Sequence, residues 1–223
     1  MYRYRVSFLL FFVALACFSC THTERTYYPD GKLEAEVTYR RGKLDGHAIW
    51  YYKHGIKRME IDYVSGRKHG TMTRFFRNGK IETQQNYYND TLEGIAREYN
   101  DNGTIANEIT YKNGQKSGAY KQYYPDGSLS IEGSFAKDLY EGVWKYYDAD
   151  GFLAGEATFS AGSGTVKMFD ADGFLIRTTP YVNNEIDGIV EYYDKDGKIE
   201  KTIRYDKGRL VEIKNKERFK IFK

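Results

Sequence analysis

The pentapeptide YYPDG stands at residues 27–31 and returns at 123–127. The interval is four steps of 24, and a glycine marks each one: Gly31, Gly55, Gly79, Gly103, Gly127 and Gly151. A single step of 22 leads to Gly173, and the 24-residue beat resumes at Gly197. A second glycine series, Gly46, Gly70, Gly94, Gly118, Gly142, Gly164 and Gly188, keeps the same rhythm with the same short step. A fixed period of this length marks a stacked array of small units. Both series are expected to be turn glycines, and the two missing residues, near Gly162 to Gly164, are expected inside a turn.

Aromatic residues keep the beat. One series lies four places before the first glycine (Tyr27, Tyr51, Phe75, Tyr99, Tyr123, Tyr147, Phe169, Tyr193), and another eight places after it (Tyr39, Tyr63, Tyr87, Tyr111, Phe135, Phe159, Tyr181, Tyr205). The residue before that glycine is Asp or Asn in every copy but one, which has His54. Asp-Gly and Asn-Gly are strong hairpin signals because both residues accept positive φ. A further position carries only Gly, Asp or Asn, from Gly42 to Gly208, so each unit holds two turns and two strands, at 32–39 and 47–52 in the first copy. By the two-residue period, Leu33, Val37 and Tyr39 share one face and Glu34, Glu36 and Thr38 the other. The second strand is less regular. Ala48 is three places before Tyr51, so either the sheet is apolar on both faces or a bulge intervenes near the tyrosine.

The chain has 22 Tyr, 13 Phe and 22 Gly against 3 Pro, a β-rich mixture. One 24-residue unit cannot stand alone. Ordering its backbone costs roughly 1–2 kcal/mol per residue, and burying a large apolar side chain returns about 1.5–3 kcal/mol. The expected fold is therefore all-β: an elongated, twisted antiparallel meander of about eight hairpins, spanning residues 27–208. Residues 209–223 are basic and are expected to form a capping edge strand or a frayed tail.

The N-terminus is a separate object. A short basic stretch precedes the apolar run VSFLLFFVALACFS, shorter than the ~20 residues of a membrane-spanning helix. This is the layout of an export signal, residues 1–19. Both cysteines lie here. Ser19–Cys20 resembles a bacterial lipobox, with Ala16–Cys17 as the alternative. The resemblance implies lipidation at Cys20 (or Cys17), a membrane-held protein of the bacterial envelope, and a short tether over 20–26. With either cysteine as the lipid site, the mature body has no other thiol, hence no disulfide, thiol catalysis or cysteine metal site.

The unit pattern Y-Y-x-D-G-K-L-x-x-E, then aromatic, then x-x-G-x-x-D/E-G, resembles the MORN-repeat variant of many bacterial proteins. It runs in phase over residues 27–208. The resemblance implies an array used for binding or assembly, and some bacterial members carry an antitoxin label. The residues agree with a non-catalytic role. His22, His47, His54 and His69 form no metal set, and no nucleophile motif or phosphate loop appears. The recurring Glu36, Glu60, Glu108, Glu132 and Glu156 read as strand surface, not as one constellation. The net charge of +3 includes Arg3 and Arg5, and so balanced a body argues against nucleic acid.

Partner contacts are expected from aromatics that vary between units: Trp50, Tyr52, Phe76, Tyr120, Tyr124, Trp144 and Tyr146, or else these fill the core. The leading expectation is a lipid-anchored scaffold for an unidentified protein partner, without cofactor. The alternatives are a cell-wall glycan or choline module, since IWYYKHG at 49–55 looks like aromatic wall-binding repeats, and an immunity-type protein that neutralises a toxin.

Overall fold

The computed structural model describes residues 21–215; the expected export signal, Cys17, Cys20 and residues 216–223 lie outside them. The described residues form one open antiparallel sheet of twenty strands that pair in order along the chain, except that the short pieces Arg67–Lys68, Thr91–Leu92 and Glu185–Ile186 each share a partner with the strand that follows. It opens with Thr21–Tyr27, Leu33–Arg40, Lys43–Tyr51 and Lys57–Val64, and closes with Ile199–Asp206 and Arg209–Asn215. No helix occurs among the described residues. Residues 21–25, expected as a free tether, instead belong to a strand paired along its whole length with Leu33–Arg40. Pairing satisfies backbone groups that a free segment would leave to water. At the far end Arg209–Asn215 pairs with Ile199–Asp206 and is exposed throughout, as an edge strand.

The two turns of a unit differ in kind. At the first, Tyr52 N–H donates to Ile56 O and Gly55 N–H donates to Tyr52 O, both at 2.7 Å. This is a three-residue loop closed by a left-handed glycine, Gly55 at φ 90°. The same geometry recurs from Gly31 to Gly197. At the second turn both central residues have positive φ, as in Arg41 at 51° and Gly42 at 72°. This type I′ turn matches the twist of its strands.

The second glycine series is not in turns, which corrects the sequence expectation. Gly46, at φ 113°, lies inside Lys43–Tyr51. Val37 pairs with Ala48 but Tyr39 pairs with Leu44, so Asp45, Gly46 and His47 together face Thr38. The strand bulges there by two residues, and a Cβ on Gly46 would stand 3.1 Å from the Thr38 methyl. Six units carry this bulge. The 22-residue unit does not. Leu153–Ser160 and Ser163–Phe169 pair without a shift, and Gly164 faces Phe159. The two missing residues are thus the bulge, while the turn at Ala161 and Gly162 is intact.

A second bulge follows every first turn. Tyr51 pairs with Lys57 and Trp50 with Met59, which leaves Arg58 without a partner of its own. The equivalent residue in the first copy is Glu34. Leu33 is therefore on the face opposite Val37 and Tyr39, contrary to the uninterrupted alternation expected. Both readings of the second strand hold in part. A bulge exists, in the facing strand, and Ala48 and Tyr51 remain on opposite faces.

One face carries Ala35, Ala48, Ile61, Met72, Ala96, Val166 and Val190, all buried. Its densest part is a cluster of Phe135, Trp144, Ala157, Phe159 and Val166. The other face carries the carboxylates. Glu36, Glu108 and Glu132 accept the hydroxyls of Tyr51, Tyr123 and Tyr147, each fifteen residues on.

Candidate binding cleft

The aromatic cluster owes its depth to the short unit. Without the bulge, three successive second turns close on one another. Gly162 N–H donates to Tyr140 O, and Asn184 N–H donates to Gly162 O. The Asn184 side chain then reaches past the short unit, accepting Tyr140 N–H at 2.8 Å and donating to Asp138 O at 2.7 Å. Gly162 is buried under it, and a Cβ there would meet Asn184 Oδ1 at 2.7 Å. This clamp brings Tyr140 and Tyr181 to 6.3 Å between ring centres.

Trp144 fits beneath because its partners are small. It pairs with Ala157 on one side. On the other, Gly133 is so close that a Cβ would stand 2.2 Å from the indole. The indole N–H donates to Ser134 O at 3.2 Å, and Tyr120 stacks on the ring at 5.4 Å.

Above this floor lies a cleft of about 350 Å³. Tyr120, Tyr140, Tyr146 and Tyr181 line it with rings, and Glu98, Asn107, Gln122 and Lys116 supply its polar groups. Burial pushes the Tyr120 and Tyr181 phenols above their usual range, and Tyr146 furthest of all. Their neighbouring phenols add to each rise by disfavouring a further negative charge. Tyr120 donates to Gln122 at 2.9 Å. Asn107 donates to Glu98 at 2.7 Å. The Lys116 ammonium sits 5.1 Å above the Phe135 ring.

The aromatics singled out in the sequence divide into three groups. Tyr120, Trp144 and Tyr146 meet at this cleft. Trp144, however, is 3% exposed and belongs to the floor, so for it the core-filling alternative holds and the partner-contact expectation does not. Trp50 is half-buried on the same face but far along the sheet, between Ala35 and Met59. Tyr52, Phe76 and Tyr124 lie on the first-turn edge. There the Tyr52 and Tyr124 hydroxyls donate to Phe75 O and Tyr147 O of the next unit, both at 2.8 Å. Those two side chains fasten units together. Phe76 anchors its own turn through its backbone. Tyr140 escaped the sequence reading, and Tyr181 had been assigned to stacking. The glycines outside all the periodic positions, Gly133 and Gly155, were the signal that could have drawn attention to them.

The opposite face is a lattice of satisfied charges. Arg25 and Tyr51 hydrogen-bond to Glu36 and hold its carboxyl below the usual range. At Glu108 burial works upward, but hydrogen bonds from Arg97 and Tyr123 prevail and lower it. Among the described residues no group of His, Cys, Asp or Glu is arranged to hold a metal ion.

The conserved-looking letters of the unit now have physical roles. Aspartates and asparagines such as Asn78 and Asp126 accept the N–H two residues on and stiffen the first turn. The acid before the second glycine reaches the next unit's turn, as Glu93 does to Asn113 N–H at 2.8 Å and Glu141 to Ala161 N–H at 2.9 Å. A model of the MORN repeat variant matches residues 23–41, 68–89, 92–113, 116–137, 140–161 and 186–207, more than half of the chain. The chain belongs to the MORN repeat variant family. Its unmatched internal stretches, 42–67 and 162–185, contain the copy with Lys57 out of pattern and the turn clamp after the short unit. No curated protein matches the chain. MORN repeats are in general non-enzymatic modules for contact with proteins or membranes.

Proposed function

We propose that this MORN-repeat chain is a non-catalytic scaffold for a protein partner, held at a bacterial envelope membrane by a lipid on Cys20 (or Cys17). The observation that carries the reading is the placement of charge around the strand entry. Thr21 pairs with Arg40, so Thr21 itself stands on the second-turn edge. That edge carries Arg40, Arg41, Lys43 and Arg67, all exposed and in no ion pair among the described residues. Arg40, Arg41 and Lys43 border a hollow of about 470 Å³ with Asp45 and Ser65. Each basic side chain near an anionic bilayer contributes about 1 kcal/mol of attraction. A lipid on Cys20 and this edge would act at the same place, two weak signals that together give stable anchoring.

Fractionation of cells carrying Cys20→Ser tests the anchor. Release of the protein from the membrane fraction is the expected result. Release by Cys17→Ser instead moves the lipid to the alternative residue, and retention by both variants overturns the anchor. Envelope cross-linking with the intact protein tests the scaffold: a stoichiometric protein partner supports it, and wall fragments without protein overturn it.

A further inference from the structure

The cleft between Tyr120, Tyr146 and Tyr181 has a chemical inventory that selects among ligands, independently of the protein-scaffold reading. Its size, about 350 Å³, is in the range of small-molecule sites, which are mostly apolar with a few fixed polar groups. The Tyr146 and Tyr181 hydroxyls make no hydrogen bond to any described residue. Both side chains are half-buried while their hydroxyls still reach solvent, so each is open to a ligand and would need a partner once a ligand covered it. One carboxylate, Glu98, and one ammonium, Lys116, line the walls, so the cleft has no net charge.

Three ligand classes fit poorly. A quaternary cation seeks open ring faces, but the Lys116 ammonium already lies over Phe135 at 5.1 Å and would repel it. An anion would meet Glu98. A wholly apolar ligand would shut the Tyr146 and Tyr181 hydroxyls off from water without partners. A neutral ring with one C–H face and several hydroxyls meets every requirement at once. We infer that the cleft binds a pyranose ring of an uncharged glycan, its C–H face against the rings of Tyr120 and Tyr146 and its hydroxyls on Tyr146, Tyr181, Glu98 and Gln122.

The test uses the full chain in a sugar-free detergent, carrying Trp50→Phe so that Trp144 is the remaining tryptophan. Chitotriose and maltotriose are the uncharged probes, and phosphocholine is the charged one. The expected result is saturable heat with at least one trisaccharide, accompanied by a shift of Trp144 emission from beneath the site. Tyr146→Ala should weaken binding about tenfold or more, as for a buried aromatic anchor. Tyr146→Phe keeps the ring and should lose affinity several-fold. Tyr147→Phe, on the opposite face, should leave affinity unchanged. Gln122→Ala serves as the second variant where Tyr146→Ala alters the circular dichroism. No response to either trisaccharide overturns the proposal. So does a response to phosphocholine alone, or trisaccharide binding that ignores Tyr146→Phe and Gln122→Ala.

Discussion

The run of regular bulged units and the stretch flanking the unit without the bulge bury different things. Around the bulged Lys43–Tyr51 strand the central row of the aromatic face is modest, with Ala48 against Ile61. Next to the unbulged unit, on the bulged strand Leu139–Tyr147 that pairs with Leu153–Ser160, the same row deepens to Trp144, supported by Phe135 and Phe159. The sequence period is nearly the same in both. What differs is how closely consecutive second turns approach. A bulge at Gly46 keeps neighbouring turns one unit apart, each donating a single N–H to the strand before it, as Gly66 does to Leu44. Removing the bulge lets Asn184 span two units. The aromatic cluster of this single-layer sheet lies where its edge is gathered in this way.

Several substitutions would break that contrast. Trp144→Ala removes the floor of the gathered region and should cost about 3–5 kcal/mol, read from urea unfolding. Gly133→Ala places a methyl where the indole lies. It should cost about 1–3 kcal/mol through overpacking, and adding Trp144→Phe should recover part of the loss. Asn184→Ala strips two backbone groups of their partner, for about 1–3 kcal/mol where they stay shielded from water. Tyr52→Phe, in the regular part, removes one inter-unit hydrogen bond and should cost about 0.5–1.5 kcal/mol. A cost for Tyr52→Phe equal to that for Trp144→Ala would erase the distinction between the two regions.

The contrast also sharpens with pH. Tyr146, Tyr120 and Tyr181 have phenol pKa values raised in the fold. The unfolded chain therefore releases their protons first, near pH 10. Stability they contribute is complete below that pH and falls as pH rises above it. Glu36 and Glu108, held low on the other face, contribute above the ordinary carboxylate range and lose it as pH falls through their folded values. Thermal melts should accordingly show alkaline destabilisation that is smaller in Tyr146→Phe.

Much of this fold is legible in the letters. The beat of Gly31 to Gly197 located the first turns, and the Gly-Asp-Asn position located the type I′ turns. Faces were harder to read. Alternation counts residues, and the unpartnered Glu34 and Arg58 shift the count without any distinctive residue type to announce it. Gly46 looked like a turn glycine because a bulge and a turn need the same left-handed backbone. Trp144 looked like a surface aromatic because it departs from its column. Its burial depends on Gly133 and Ala157, residues on other strands that only pairing brings together. The tether failed for a related reason: Thr21–Tyr27 has no apolar stripe, and its place is set by an open ladder on Leu33–Arg40.

The meander also fixes an order of events for a chain emerging N-terminus first. Every hairpin closes over a handful of residues, so each loop costs little entropy and can form as soon as its second strand appears. Asn184 is the exception, since its bonds to Tyr140 and Asp138 span 44 and 46 residues. They can form only after the whole short unit has been laid down. The gathered region is therefore completed late, and an interrupted chain ending before Asn184 would display Tyr140 and Trp144 without their clamp.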